Sequence, residues 1–261
     1  MAFGIKESVK AMIQRIPWGR EWLRRRRSRL NRRRFGNFGW TKLENTESVF
    51  NHHYSKRAWR NTESVSGTGS TIAYTEPLRQ ALPQLVDRLK VKKLLDAPCG
   101  DFNWMREVSW IQPVSYIGGD IVSDIVEAAQ KNYGMENRSF IKLDLTCDPL
   151  PDADLWMCRD CLFHLSEDHI FDAMANFARS TIPWVLVSVH EEVEENLDIP
   201  DGAFRKLDLR LAPFHLPEPE EKVVDWVEGH YPRFLGLWHR DVIVSALSSS
   251  RPFARATRRL S

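Results

Sequence analysis

The segment VKKLLDAPCGDFNWM, residues 91–105, constrains the fold of this chain more than any other part of the sequence. Its apolar half predicts a buried parallel strand that ends on Asp96. A tight turn at residues 98–101, built around Gly100, then leads into a helix that we expect to begin near Asn103. This order of strand, glycine turn and helix forms the ligand-binding corner of a doubly wound α/β domain. The sequence therefore predicts that residues 98–101, the cofactor turn, bind a cofactor.

A second predicted strand places another acid at the same edge of the sheet. The segment SYIGGDI, residues 115–121, contains Asp120 at its end, twenty residues after Gly100, where such a domain offers a carboxylate to ribose hydroxyl groups. A dinucleotide site would need the pattern G-x-G-x-x-G so that the backbone can approach a pyrophosphate. This chain has Pro98, Gly100 and Phe102 there instead of three glycines, which disfavours phosphate binding.

These residues resemble the first motif of the class I S-adenosylmethionine-dependent methyltransferases, an acid at a strand end followed by a loop that contains glycine. The resemblance implies S-adenosyl-L-methionine as cofactor, which has no phosphates and needs only one glycine near its methionine part. A third predicted strand, residues 140–145, carries Asp144 at its end, which matches the family's acceptor for the adenine amino group. Each acid alone could be a turn former or a helix cap, so the signal lies in the three together. We assign cofactor binding to Asp96, Pro98, Gly100, Asp120, Asp144, Leu145 and Arg159.

Length and composition fit one enzyme-sized domain with an appendage. A chain of 261 residues with 43% hydrophobic content can bury one sizeable core and hardly two. The four cysteines form no disulfide pattern, which favours reduced thiols and a cytoplasmic protein. The pair Cys158 and Cys161 has the spacing C-x-x-C, but a zinc site needs four ligands and no second pair follows. We predict no metal there.

The first 34 residues, the basic arm, differ from the rest of the chain in charge. The arm has twelve Lys and Arg residues against two acids, whereas the remainder has 25 basic and 33 acidic residues. The arm could be a peripheral anchor on anionic lipid, a solvated segment, or a segment that docks on the acidic body. Nucleic acid is a less favoured partner because the acidic body offers no continuing track for phosphates. The anchor would use apolar residues at helical spacing with two tryptophans beside the arginines: Ile5, Val9, Met12, Ile13, Ile16, Trp18 and Trp22.

Residues 35–75 are rich in aromatic side chains and end in a loop of hydroxyl residues and glycine, residues 66–71, the Gly-Ser loop. The loop could be a linker with a helix cap, or a lid over the cofactor or acceptor site. The chain is also similar to a subgroup of bacterial methyltransferases associated with glycan or lipo-oligosaccharide modification. This similarity lies in ESVSGTGST, LLDAPCGDFNWM, YIGGDIV, CRDCLFHLS and LGLW, covers residues 59–240, and favours the lid.

Strand and helix alternate through the rest of the chain. Helices are predicted at 75–89, 124–133 and 166–177, and strands at 153–158, 184–189, 222–227 and 234–238. This alternation predicts an α/β fold with a doubly wound, mostly parallel sheet and a basic helical extension at the N-terminus. The resemblance adds a closing antiparallel pair of strands. We divide the chain into the basic arm (1–34), the lid segment (35–75), the methyltransferase domain (76–248) and a basic C-terminal tail (249–261).

The candidate catalytic residues follow the fourth strand. His164 suits a general base for a hydroxyl acceptor, and Asp160 could orient it or be the base itself. The alternative is that both cap the next helix or bind Arg159. A cluster after the fifth strand could bind a divalent metal with Asp160, or could be a solvated helix start; its members are His190, Glu191, Glu192, Glu194 and Glu195. Arg205 could line the acceptor pocket or form a surface salt bridge.

The resemblance implies an enzyme that methylates oxygen, on a sugar hydroxyl of a glycan or on another small acceptor. Fold alone does not fix this function. Two other functions fit the sequence: a methyltransferase that acts on nucleic acid through the basic arm, and a cofactor-binding scaffold without catalysis. We expect a cytoplasmic protein, with peripheral membrane contact if the arm is an anchor.

Overall fold

The computed structural model describes residues 19–248 and 250–259 and is built around one sheet of seven strands. The strands are β1 (Lys93–Asp96), β2 (Ser115–Asp120), β3 (Arg138–Lys142), β4 (Leu155–Cys158), β5 (Trp184–His190), β6 (Glu221–Val224) and β7 (Arg233–His239). Their order across the sheet is β3-β2-β1-β4-β5-β7-β6. Strands β1 to β5 are parallel, and β7 is antiparallel to both β5 and β6. The predicted mostly parallel sheet with a closing antiparallel pair is confirmed.

Helices cover both faces of the sheet. They are α1 (Gly19–Arg33), α2 (Thr46–Ser55), α3 (Glu76–Arg88), α4 (Ser123–Tyr133), α5 (Glu167–Arg179), α6 (Arg240–Ser248) and α7 (Arg251–Arg259). Apolar residues of α3 and α4 pack with one face of the central strands, and those of α5, α6 and α7 pack with the other. Residues along β4 alternate between the two cores: Trp156 and Cys158 belong to one, Leu155 and Met157 to the other. This two-sided burial explains why the central strands read as continuous apolar runs.

Two local predictions around the cofactor turn were wrong. The helix expected near Asn103 is only a 3-10 turn at Met105–Glu107. Phe102 has a φ of +59°, which lies outside the range of a right-handed helix, so no helix includes this residue. Strand β3 ends at Lys142, so Asp144 lies two residues beyond the strand, and not at its last position.

The C-terminal residues also differ from the prediction. Residues 251–259 were expected to form a basic tail outside the methyltransferase domain, but they form helix α7. Phe253 and Ala256 are three positions apart and therefore share one helix face, and both are buried in the core with residues of α5. Two apolar positions at this spacing are enough to dock a helix whose other residues are mostly basic.

The described part of the basic arm docks on the body of the protein. Arg24 forms an ion pair with Glu167 at 2.5 Å, Arg27 donates to Glu195, and Arg32 pairs with Asp198 at 2.7 Å. Of the alternatives for the arm, docking on the acidic body is the one that α1 adopts. The apolar residues Ile5 to Ile16 and Trp18 lie outside the described residues. Within the described ranges, no helix is both long and apolar enough to cross a membrane.

Candidate functional site

A cavity of about 290 Å³ lies beyond the carboxyl ends of the parallel strands. It is lined by residues that follow β1, β2, β3 and β4, and by the loops that cover them. The three acids Asp96, Asp120 and Asp144 all line it. Parallel packing brings these residues together, because the carboxyl ends of β1, β2 and β3 meet at one edge of the sheet. The other predicted cofactor residues, Pro98, Gly100, Leu145 and Arg159, also line the cavity.

Asp96 is buried at the end of β1 and accepts a hydrogen bond from the hydroxyl of Tyr116 at 2.6 Å. Burial raises the pKa of Asp96 to about 7, although the hydrogen bond from Tyr116 and the charge of Arg159 act in the opposite direction. A positive charge that binds near such a carboxyl group favours its ionised form, and the ionised carboxylate in turn attracts that charge.

Asp120 holds the cofactor turn in place while it faces the cavity. Its carboxylate accepts the backbone N–H of Gly100 at 3.1 Å and that of Val122 at 3.0 Å. Burial raises its pKa to about 6. Gly100 has a φ of +54°, and a Cβ there would lie 2.2 Å from Oγ of Ser66, so only glycine fits between the turn and the loop above it.

Asp144, the third acid that lines the cavity, is held by Thr146. Its Oδ1 accepts the backbone N–H of Thr146 at 2.9 Å and the hydroxyl of Thr146 at 2.6 Å. The carboxylate is thereby fixed in one orientation beside Leu145 and Leu143, which also line the cavity. A fixed acceptor next to apolar side chains is suited to a flat ring that carries an amino group.

The Gly-Ser loop crosses the cavity, where its residues 66–70 form part of the lining. Asp101 of the cofactor turn accepts the backbone N–H of Val65 at 2.8 Å and the hydroxyl of Ser64 at 3.0 Å. The side-chain amide of Asn103 donates to Glu63 at 2.8 Å and to the carbonyl of Ser70 at 3.0 Å. The Gly-Ser loop therefore covers the cavity, as predicted for a lid, and residues 101 and 103 hold it there. Whether this lid opens stays a prediction.

A network of four charged side chains, two of them buried (Arg159 and Asp225), lies where β4 and β6 end and β7 begins. Arg159 donates to Asp225 at 2.8 Å and to the carbonyl of Gly69 at 2.6 Å. Arg233 pairs with Asp160 at 2.7 Å and with Asp225 at 3.2 Å. Arg159 thus faces the cavity but is also an anchor for the Gly-Ser loop. No sequence pattern indicated a role for Asp225, which was predicted only as part of a strand.

Asp160 is therefore engaged by arginines and does not orient His164. Burial by itself would raise the pKa of Asp160, but the guanidinium groups of Arg159 and Arg233 hold it below its ordinary value. The backbone N–H of Asp160 donates to Ser188. Asp160 also pairs with Arg159, as one of the alternatives predicted, with 3.4 Å between Nη1 of Arg159 and Oδ2 of Asp160.

His164 lines the cavity and is oriented by a backbone carbonyl. Its Nδ1 lies 2.8 Å from the carbonyl oxygen of Ala203, and since a carbonyl can only accept, Nδ1 carries the hydrogen. Burial lowers the pKa of His164 to about 4, so the ring is neutral at pH 7 and Nε2 has a free lone pair. This arrangement suits proton abstraction by Nε2. The group that orients the imidazole is a main-chain carbonyl, that of Ala203, and no sequence pattern could have indicated it.

The alternative of a divalent-metal site near His190 and both alternatives for Arg205 find no support in the geometry. His190 is buried, and its Nδ1 accepts the backbone N–H of Leu207. Across the described ranges, no group of three His, Cys, Asp or Glu side chains is placed to hold a metal ion. Arg205 does not line the cavity; it is buried and donates to the carbonyl of Leu165 at 2.7 Å. Both the pocket contact and the surface salt bridge predicted for Arg205 were wrong.

Aromatic rings form the side of the cavity next to His164. Phe204 and Tyr231 are stacked with an angle of 18° between their planes, and both are exposed at 45% and 58%. Trp59 and Phe163 contact the imidazole of His164, with ring centroids 6.3 Å and 4.6 Å away. A flat or partly apolar acceptor could pack between these rings with a hydroxyl group near His164.

Several solved methyltransferases have the same fold. Magnesium protoporphyrin IX methyltransferase from Synechocystis PCC 6803 with bound SAM is 14% identical and has a TM-score of 0.50 over 75% of this chain and 98% of that chain. A Burkholderia thailandensis 1,6-didemethyltoxoflavin-N1-methyltransferase with bound S-adenosylhomocysteine is 15% identical, with a TM-score of 0.50 over 74% and 86%. PigF with SAH is 14% identical, with a TM-score of 0.50 over 84% and 69%. No protein-family model and no curated protein matches the chain. The chain thus has the Rossmann-like methyltransferase fold.

Proposed function

We propose that this chain is an S-adenosylmethionine-dependent methyltransferase that transfers a methyl group to an oxygen atom of a small acceptor. The observation that carries the proposal is the convergence of Asp96, Asp120 and Asp144 on one cavity beneath a turn with a single glycine. The fold supports it, because three solved structures with this fold contain SAM or its demethylated product.

The lining residues fit this cofactor. The carboxylate of Asp120 can accept from two ribose hydroxyls while it keeps its bonds to the backbone, since each oxygen has more than one lone pair. Asp144 can accept from the adenine amino group beside Leu145. Asp96, with its raised pKa, gains from the positive charge of the sulfonium or the ammonium group. When bound, the cofactor supplies a methyl group that its sulfonium already activates.

The chain's own task is then to position the acceptor and to remove its proton. We propose a hydroxyl acceptor, and a sugar hydroxyl of a glycan as the first candidate. The neutral imidazole of His164 can take a hydroxyl proton on Nε2 because Ala203 holds Nδ1–H. The rings of Phe204 and Tyr231 can pack against the apolar face of a sugar. The resemblance to glycan-associated methyltransferases supports the same class of acceptor.

Calorimetry on the purified protein tests the cofactor. We expect S-adenosylmethionine and S-adenosylhomocysteine to bind, and NAD and ATP to bind weakly or not at all. Asp120→Ala should weaken cofactor binding by about 1–3 kcal/mol, because two hydroxyl donors lose their acceptor. Tight NAD binding, or unchanged cofactor affinity in a folded Asp120→Ala variant, would refute the assignment.

Mass spectrometry of cell glycans and small metabolites, with and without the protein, tests the acceptor. A gain of one methyl group on a sugar hydroxyl is the expected result. Methylation of RNA or DNA that is lost when residues 1–34 are deleted would favour the nucleic-acid methyltransferase. Cofactor binding with no methylated product in any pool would favour the scaffold.

A further inference from the structure

Helix α1 has two faces of different character. Leu23, Arg24 and Ser28 are buried against the body, where Arg24 pairs with Glu167 and Ser28 accepts from the backbone of Asp198. At about 100° per residue, the side chains of residues 22, 26, 29 and 33 fall within an arc of about 60° on the opposite side of the helix. The opposite residues Trp22, Arg26, Arg29 and Arg33 are exposed to solvent, and we call them the free face of α1.

The free face combines positive charge with one large aromatic ring. The guanidinium of Arg26 lies 6.0 Å from the centre of the Trp22 ring, and Trp22 is 46% exposed. Among the described residues, no acidic side chain pairs with Arg26, Arg29 or Arg33. This charge therefore does not contribute to docking of the helix, whose ion pairs come from other arginines.

We propose that the free face of α1 binds the surface of an anionic lipid bilayer. Arginine is attracted to anionic headgroups, and a tryptophan with one polar and one apolar end is suited to the headgroup level. Further exposed apolar side chains lie on α1 and on the segment after it: Leu30 at 51%, Phe38 at 51% and Leu43 at 39%. The acidic body disfavours nucleic acid, because a phosphate backbone that left the helix would meet net negative charge.

The segment that follows α1 is connected to the acceptor side of the cavity by ring contacts. Phe38 stacks on Trp40, Trp40 contacts His53, His53 contacts Trp59, and Trp59 contacts His164, with centroid distances of 5.7, 5.1, 5.7 and 6.3 Å. An acceptor held among lipid headgroups would thus lie beside the rings that lead to the cavity. This consequence depends on the proposed methyl transfer, whereas lipid binding by the free face does not.

Cosedimentation of the full chain with vesicles tests the proposal. Vesicles of phosphatidylcholine mixed with phosphatidylserine should retain the protein at low salt, and those of phosphatidylcholine alone should not. Each arginine near an anionic surface is worth about a fivefold change in partitioning, so Arg26→Gln, Arg29→Gln and Arg33→Gln together should reduce binding about a hundredfold. Trp22→Ala should reduce the binding that remains as salt rises, because salt screens charge and leaves apolar contacts intact.

The matched control is Lys56→Gln, Lys92→Gln and Lys131→Gln, which removes the same charge from exposed positions outside α1. We expect it to bind like the wild type, with all variants checked for intact cofactor binding. Equal losses in the two triple variants would mean that net charge alone drives binding, and would overturn the proposal. The proposal would also be overturned if the wild type bound an RNA or DNA oligonucleotide and not the vesicles, and if only the free-face variant lost this oligonucleotide binding.

Discussion

The backbone N–H of Val65, the residue before the Gly-Ser loop, donates a hydrogen bond to the carboxylate of Asp101 at 2.8 Å and thereby ties the loop to the cofactor turn. The same carboxylate accepts from the hydroxyl of Ser64. The turn therefore lines the cavity on one side and holds the loop on the other.

Removing this carboxylate should loosen the loop. In Asp101→Ala, the N–H of Val65 and the hydroxyl of Ser64 lose their acceptor, which should cost about 1–3 kcal/mol. We expect faster amide hydrogen exchange over residues 63–72 and weaker binding of S-adenosylmethionine, measured by mass spectrometry and calorimetry. Glu127→Ala on the exposed side of α4 is the control. Unchanged exchange over the loop in Asp101→Ala would show that the turn does not hold it.

Asp96 should couple cofactor binding to pH. Burial raises its pKa to about 7, so the folded protein without ligand loses stability as the pH rises from about 4 to about 7 and this carboxyl ionises. Asp96→Asn cannot ionise, and we expect it to have a higher free energy of unfolding than the wild type at pH 8, measured with urea. The same variant should bind S-adenosylmethionine more weakly, because the bound positive charge loses its counter-charge.

Asp152→Asn is the control for this variant, since Asp152 lies on the surface with its side chain 77% exposed. We expect it to change neither the pH dependence of unfolding nor cofactor affinity. If Asp96→Asn bound the cofactor like the wild type at pH 8, Asp96 would have no electrostatic role in the site.

The positions of most strands and of the three acids could be predicted from the sequence because both depend on local pattern. Apolar runs of four to seven residues predict buried strands, and an acid after each run places it at one edge of a parallel sheet. Bounds were less predictable: Asp144 lies beyond β3, because the strand ends once its pairing with β2 ends at Lys142.

Contacts between distant segments could not be predicted in the same way. Asp101 and Val65 are 36 positions apart, and nothing in either segment indicates which backbone N–H a carboxylate will bind. The partner of His164 is the carbonyl of Ala203, and every residue has a carbonyl. The sequence indicated Asp160 as the orienting group because it is near, but the fold places Arg233 between that carboxylate and Asp225.

His164 should matter for the rate of methyl transfer and not for cofactor binding. Once an acceptor is known, His164→Ala should lower kcat about 10²–10⁴-fold with unchanged affinity for S-adenosylmethionine. Burial lowers the pKa of His164 to about 4, so its imidazole stays neutral from pH 8 down to about 5, and kcat at saturating cofactor should stay level over that range.

Asp160→Asn is the comparison for His164→Ala. It leaves Arg233 and Arg159 facing Asp225 alone, so we expect a loss of stability and a smaller fall in kcat. Near-wild-type kcat in His164→Ala would mean that positioning alone drives the transfer, or that another group takes the proton. A larger fall in kcat for Asp160→Asn than for His164→Ala would make Asp160 the better candidate for the base.

Two neighbouring arginines of α1 should differ sharply in their contribution to stability. The side chain of Arg24 is 5% exposed and pairs at 2.5 Å with Glu167, which is itself 16% exposed. Arg25 is 60% exposed and pairs with Glu21 one turn away. Arg24→Ala leaves the mostly covered Glu167 carboxylate without its arginine partner, which should lower the free energy of unfolding by about 3–5 kcal/mol. Arg25→Ala should lower it by less than about 1 kcal/mol. Urea unfolding of both variants measures the difference; equal, small effects would mean that α1 is not held on the body through Arg24.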